Sequence, residues 1–255
     1  MKLRGYFAIS IVMAGLLVAA VFQSLVIVPL IWLLPSRRHR ILTSWISFMA
    51  WYVTRPQSAI GGAVIPQVRQ IPCEPGVLIV MNHQSLMDIP LVVTAVADGY
   101  PRILTRRRYA RWIPLISQMI RLYQYPIVDP EAKPGDTRKM LKELRENARS
   151  SEVPIAIFPE GTRTKDGDIA PFMKTGLRLL LKSRPWKVYV LVADGYWTHP
   201  KFIHFINGMA TIKGRMELMG PFEWSDTKGD AEAFTDEIQQ MMVDRLAEMR
   251  GAPAA

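Results

Sequence analysis

Cysteine is almost missing from this chain: Cys73 stands alone, which excludes an intrachain disulfide framework and suits a reducing compartment. Acidic residues are missing from its front, where no Asp or Glu precedes Glu74 although Lys2, Arg4, Arg37, Arg38, Arg40, Arg55 and Arg69 do. Between Tyr6 and Leu34 there is no charge of either sign. The sequence contains no Gly-x-Ser-x-Gly elbow, P-loop, dinucleotide fingerprint, His-Glu-x-x-His or Cys-x-x-Cys. A serine hydrolase, a nucleotide enzyme and a zinc protein therefore have no support in the residues. Internal repeats and low-complexity tracts are absent as well.

What is present is a 255-residue chain, 49% hydrophobic, with a net charge of +10, enough for one sizeable core and an appendage. As a helix the uncharged run would extend roughly 43 Å, more than the ~30 Å of a hydrocarbon core. Pro29 is placed to kink it, and Ile41–Tyr52, rich in Trp and Tyr, reads as a second, interfacial helix. Residues 1–55 are thus expected to form membrane-associated helices, spanning or lying as a hairpin in one leaflet, and residues 56–255 the main domain. A signal peptide is the alternative, with Lys2 and Arg4 before the apolar run and Val18-Ala19-Ala20 as a cleavage site. Against it, the run continues past Ala20 into Arg37, Arg38 and Arg40, as in an anchor whose basic flank stays in the cytoplasm. The expected location is the cell inner membrane, with the main domain on the cytoplasmic side and anionic lipid as partner. Nucleic acid is not an expected partner, since it gives the uncharged run no purpose.

Residues 54–75, with Pro56, Gly61, Gly62, Pro66, Pro72 and Pro75, read as an irregular linker. Beyond them apolar runs alternate with helical spacing. Strands are predicted at 76–81, 102–105, 126–129, 153–158, 187–193 and 210–219, and helices at 89–97, 108–122, 136–149, 173–183 and 229–249. Such alternation implies an α/β fold, a mixed and largely parallel sheet flanked by helices.

Two polar clusters follow two of the predicted strands. The first is Asn82-His83-Gln84-Ser85-Leu86-Met87-Asp88. On a strand-to-helix turn Asp88 can accept from one nitrogen of His83, fix its tautomer and leave the other nitrogen free to take a proton. Asp88 can also cap the helix that begins at Ile89-Pro90. Asn82 and Ser85 read as loop-shaping hydrogen bonders. The second cluster is Phe158-Pro159-Glu160-Gly161-Thr162-Arg163. Ligands gather outside the carboxyl ends of strands in open α/β sheets, so both clusters are expected to face one crevice.

Asn82-His83-x-Ser85-x-x-Asp88 and Phe158-Pro159-Glu160-Gly161-Thr162-Arg163 together resemble the first and third motif blocks of the glycerolipid acyltransferases, the 1-acyl-sn-glycerol-3-phosphate acyltransferase family. The resemblance runs from about Val77 to about Val192. It implies an enzyme that moves an acyl chain from acyl carrier protein or coenzyme A to the hydroxyl of lysophosphatidic acid, or of another lysolipid. His83 is then the base and Asp88 its orienter. Glu160, Gly161, Thr162 and Arg163 are then substrate-binding: Arg163 takes the acceptor phosphate, Glu160 positions a glycerol hydroxyl or holds a neighbouring cation, and backbone N–H groups near Gly161 meet the oxyanion that develops on the thioester carbonyl. Pro171-Phe172-Met173-Lys174-Thr175-Gly176 resembles the continuation of the third block and makes Lys174 a further anion contact. The acyl thioester is a co-substrate, and neither a cofactor nor a metal is expected. Arg102, Arg106, Arg107, Arg108 and Arg111 form a basic stretch suited to a membrane surface or an acyl carrier. Two features depart from the family. Ile127-Val128-Asp129 is followed by Pro130 where an arginine is usual, with Arg121 or Arg138 as substitutes, and Val188–Gly195 lacks the proline of the fourth block.

Overall fold

The computed structural model describes residues 2–199 and 201–251. Helix α1 (Lys2–Phe22) passes through a π-helical stretch (Gln23–Ile27) into α2 (Val28–Leu33). A 3₁₀ turn at Pro35–Arg37 reverses the chain into α3 (Arg38–Ala59). The two arms are antiparallel, because the Tyr52 hydroxyl donates to the Ile11 carbonyl and Trp45 Nε1 donates to Gln23 Oε1. Gly15 lets the Tyr52 ring lie against the α1 backbone, and Gly5 lets the carbonyl of Ile206 do the same. A side chain at either position would push the helices apart. Residues expected to form a linker from 54 onward continue α3 to Ala59, so the 55/56 boundary falls inside a helix.

Then come β1 (Ile71–Pro72), β2 (Val77–Met81), α4 (Asp88–Ala95), β3 (Val96–Ala97), β4 (Arg102–Ile103) and β5 (Thr105–Arg106). The second half of the chain contributes α5 (Ile116–Leu122), β6 (Ile127–Val128), α6 (Pro134–Ser150), β7 (Ile155–Ile157), α7 (Lys174–Leu181), β8 (Trp186–Asp194), α8 (Phe202–Gly208), β9 (Arg215–Trp224) and α9 (Ala231–Arg250). The main sheet has the order β4-β7-β2-β8-β9, parallel throughout except for β9. This is the expected mixed, largely parallel sheet between helices.

Every residue of β2 is buried, as in a central parallel strand covered on both faces. Its side chains alternate between two cores. Val77, Ile79 and Met81 join residues of α1, α3 and α4, including Ala19, Trp45 and Leu91. Leu78 and Val80 join residues of α6, α7 and α9, including Leu144, Leu177 and Ile238. The amino-terminal helices thus share a core with one face of the sheet. Ile238, Met242, Leu246 and Met249 seat α9 on the other face at helical spacing. Asp230 caps α9 through the amides of Glu232 and Ala233, both at 3.0 Å.

The short strands β1 and β3 fall in the expected linker and at the end of the helix expected at 89–97, and three further elements differ from the sequence reading. The helix expected at 108–122 is a 3₁₀ turn (Arg107–Ala110) followed by α5 alone. Pro114 restricts Ile113 to extended backbone, and Trp112 and Leu115 on either side take φ of 65°. Helix α8 lies where none was expected. The last strand begins at Arg215, not 210, and continues through Pro221. It is an edge strand, where a missing N–H costs no ladder bond.

Candidate active site

Strands β2 and β7 are parallel neighbours, with Val80 opposite Ile157, so the loops after them open at the same end of the sheet. Asn82 closes β2. Its side-chain amide donates to the Ala193 carbonyl (2.9 Å) and accepts from the Ala193 amide (2.8 Å), continuing the β2–β8 ladder by one side chain. His83 is the next residue. Its amide donates to Glu160 Oε1 (2.7 Å) and its carbonyl accepts from the Thr164 amide (2.8 Å). Two backbone anchors from the β7 loop therefore set the position of the histidine.

The His83 ring rests on Phe158, with centroids 4.6 Å apart. Nδ1 lies 2.7 Å from Asp88 Oδ2. That same oxygen accepts from the amides of Gln84 (2.6 Å) and Ser85 (2.8 Å). Asp88 is fully buried; at Oδ2 the two amides and the imidazole replace lost water, whereas Oδ1 is buried without a partner among the described residues. A carboxylate is an acceptor, so Nδ1 carries the proton and Nε2 the lone pair. Nε2 has no hydrogen-bond partner among the described residues, and the side chain keeps 19% of its exposure. The carboxylate of Asp88 turns back toward Gln84 and Ser85, and no side chain caps α4. The capping half of the expectation for Asp88 is therefore corrected. The Ser85 hydroxyl accepts from the Met87 amide (2.9 Å) and shapes the turn.

Glu160 is buried, and its two oxygens are divided between loops: Oε1 takes the His83 amide, and Oε2 takes the Ala170 amide at 2.9 Å. Burial pushes its carboxyl up, against the two amide bonds. This carboxylate staples the two sequence clusters together. Gly161 turns the chain at φ +66°. Its amide donates to the Phe158 carbonyl (3.0 Å), and its carbonyl accepts from Arg106 Nη2. The expected oxyanion donor at Gly161 is thus already engaged in a turn. Thr162 and Arg163 are exposed, and Arg163 has no ion-pair partner among the described residues. Thr164, buried, ties down the next turn by accepting from the Gly167 amide (3.0 Å).

Lys174 lies elsewhere. Its ammonium is 2.6 Å from Asp236 and 3.7 Å from Glu232 on α9, two carboxylates that neutralise it. It joins α7 to α9, which replaces the expected anion contact. Of the basic stretch, Arg106 borders the site and Arg107 pairs with Asp129 at 3.0 Å. Arg121 and Arg138, the expected substitutes for the arginine missing after Asp129, make no hydrogen bond to the site. The sequence reading placed Arg106 in the basic stretch but not at the Gly161 carbonyl, and gave no role to Gln84, whose Oε1 accepts from the Tyr196 amide (3.2 Å), or to Thr164. Each acts through a partner remote in sequence, a relation no local pattern displays.

A second clamp holds the loop from outside. Asp194, at the end of β8 and buried, accepts from Arg215 (3.0 Å) and Arg250 (2.9 Å). Arg250 also donates to the Gly167 carbonyl (2.8 Å) and to Asp168 (2.9 Å). Burial raises the Asp194 carboxyl, but the two guanidinium groups outweigh it and hold it below the usual carboxylate range. A depressed pKa adds stability above the unfolded value near 4, and that stability is lost as pH falls through the folded pKa. The melting temperature of wild type is therefore expected to fall on acidification below about pH 4. Asp194→Asn should flatten that limb in a thermal series, and an unchanged acid limb would contradict this account.

Comparison with known proteins places these features in a family. The family described as Acyltransferase matches residues 64–193. The 1-acyl-sn-glycerol-3-phosphate acyltransferase of Cocos nucifera is 26% identical over 188 residues, covering 69% of this chain and 58% of that protein. The protein of the same name from Saccharomyces cerevisiae is 24% identical over 181 residues, covering 69% and 57%. The chain thus spans less than two thirds of the length of these relatives. The crystal structure of the 1-acyl-sn-glycerophosphate (LPA) acyltransferase, PlsC, from Thermotoga maritima superposes with a TM-score of 0.67 at 23% identity, covering 98% of this chain and 94% of that one. At that identity the likeness is one of fold.

Proposed function

This chain belongs to the acyltransferase family, and from that premise we propose that it esterifies lysophosphatidic acid to phosphatidic acid, taking the acyl chain from acyl carrier protein or coenzyme A. The observation that carries the reading is His83 bonded through Nδ1 to the buried Asp88 with Nε2 unpartnered. In the proposed step Nε2 takes the proton of the acceptor hydroxyl while that oxygen attacks the thioester carbonyl. The tetrahedral intermediate collapses, the carbon–sulfur bond breaks, and the departing thiolate receives the proton from the imidazolium. Asp88 stays ionised and stabilises the transient cation. No cofactor enters beyond the thioester. No serine or cysteine hydroxyl or thiol is hydrogen-bonded to His83 among the described residues, which favours direct transfer over an acyl-enzyme.

Arg163 is proposed to grip the phosphate of the acceptor, with Thr162 beside it, because it is an exposed cation next to the turn that Glu160, Thr164 and Arg106 hold against His83. A charge-assisted contact is worth about 1.5–3 kcal/mol. Arg163→Ala should therefore raise KM for lysophosphatidate about 10–150-fold with kcat little changed. The assay is free thiol released from the acyl thioester, run over lysolipid acceptors with and without a terminal phosphate. If the variant keeps the wild-type preference for the phosphate monoester, Arg163 is not its ligand, and a wild type that prefers another lysolipid names that acceptor instead.

We also propose that the α1–α3 hairpin lies in one leaflet of the inner membrane, with the main domain on the cytoplasmic side. Lys2–Leu33 is apolar enough to cross a bilayer. Its packing on α3 and α8, however, occupies one flank, and Leu3, Phe7, Leu17, Leu25 and Trp32 stand exposed on the other. A helix half covered by protein suits shallow burial. The exposed basic residues around Arg108 and Arg111 would meet lipid headgroups or the anionic carrier.

A further inference from the structure

Between α1, α2 and α3 lies an open groove of about 720 Å³. Its floor is apolar, formed by Phe22, Ile27, Leu30 and Trp45, and Arg37 and Arg40 stand at its rim. None of these residues belongs to the active site. The floor is preformed. Trp45 Nε1 donates to Gln23 Oε1 at 2.7 Å, and Gln23 Nε2 donates to Gln118 Oε1 at 2.7 Å, so a buried polar chain ties the groove to α5. Gln23 opens the π-helical stretch, a form often found at functional sites.

Three observations give the rim one sign. Arg37 and Arg40 are exposed and have no hydrogen-bond or ion-pair partner among the described residues, whereas Arg38 between them is turned away onto the Leu122 carbonyl. The first turn of the 22-residue α3 carries no acidic residue and no side-chain cap, so its partial positive charge is unanswered. No carboxylate occurs in the chain before Glu74. An anion is wanted at the rim and an apolar chain along the floor, and an anionic glycerophospholipid supplies both.

We propose that this groove binds one anionic phospholipid, its phosphate held by Arg37, Arg40 and the first turn of α3, and one acyl chain laid along Phe22, Ile27 and Trp45. The site goes beyond the acyl-transfer reading and does not depend on it, because none of the groove-lining residues is hydrogen-bonded to His83, Asp88 or the Glu160 loop among the described residues. The bound lipid selects the membrane by headgroup and is not consumed.

The test uses the full chain in neutral detergent micelles, titrated with phosphatidylglycerol or phosphatidylcholine bearing a nitroxide on the acyl chain. Tryptophan quenching should reach its midpoint at a lower mole fraction of phosphatidylglycerol, and Trp45→Phe should remove the preferentially quenched component. Each arginine near an anionic headgroup is worth about a fivefold change in binding. Arg37→Gln should weaken the phosphatidylglycerol response about fivefold, and Arg37→Gln with Arg40→Gln about thirtyfold. Arg138→Gln with Arg145→Gln on α6 removes the same charge elsewhere and should change nothing. Mass spectrometry of lipid retained through gel filtration gives a second measurement that needs no Trp45 variant: wild type should retain phosphatidylglycerol and the double groove variant should lose it. Equal quenching by both lipids, equal losses in the two double variants, or displacement by inorganic phosphate alone would each overturn the proposal. A wild type that retains phosphatidylglycerol but transfers no acyl chain would count against the active-site reading and leave the groove standing.

Discussion

His83→Ala is expected to lower the rate of thiol release by about 10²–10⁴-fold, the contribution of a positioned base. The substitution removes Nε2, the unpartnered nitrogen of the pair, and leaves the scaffold that positions it. The residue 83 amide still has Glu160 Oε1, its carbonyl still has the Thr164 amide, and Asp88 Oδ2 keeps the amides of Gln84 and Ser85. The variant should accordingly fold with wild-type circular dichroism and bind both substrates. Initial rates with saturating thioester and lysolipid decide the matter. A variant within tenfold of wild type would assign proton removal to another group.

Asp88→Asn is the second large effect, and its size follows from which end of the amide faces the ring. Two main-chain N–H groups converge on Asp88 Oδ2, so the asparagine oxygen must occupy that place and the NH₂ must take the other. The ring then still donates from Nδ1, and Nε2 remains the basic nitrogen. What disappears is the anion beside the imidazolium. Charge assistance of about 1.5–3 kcal/mol corresponds to about 10–150-fold in kcat, with KM for lysolipid little moved. Asp88→Ala would leave both buried amides unmet at about 1–3 kcal/mol each and should lower the melting temperature as well. Kinetics and thermal melts of the two variants together separate orientation from folding. Equal kcat in Asp88→Asn and wild type would remove Asp88 from the reaction.

The reason some of this was legible in the sequence is local. His83 and Asp88 sit five positions apart on one turn, so strand, turn and helix signals suffice to bring them together. The β2 and β7 runs are short, apolar and followed by polar clusters, which places both at strand ends. That these two strands are neighbours was not legible and comes from the β2–β7 pairing itself. The role of Glu160 was not legible, since its partners are the amides of His83 and Ala170, groups every residue carries. The pairing of Lys174 with Asp236 and of Asp194 with Arg250 depends on where α9 comes to rest, and α9 is placed by its Ile238, Met242 and Leu246 face. Its charged residues follow that placement. The break before α5 was signalled by Pro114, but the apolar spacing of Ile113, Leu115, Ile116 and Ile120 read as one helix across it.

The close contact between Gly5 and the carbonyl of Ile206 sets an order of events during synthesis. The hairpin is made before its seat on α8, which follows about 150 residues after the end of α3. At 5–20 residues per second the completed hairpin waits roughly 7–30 s for that surface. During this interval its docking flank and its outer apolar flank are bare together. The flank that α8 covers is filled only once residues 202–208 have been made, so the hairpin is complete well before its seat.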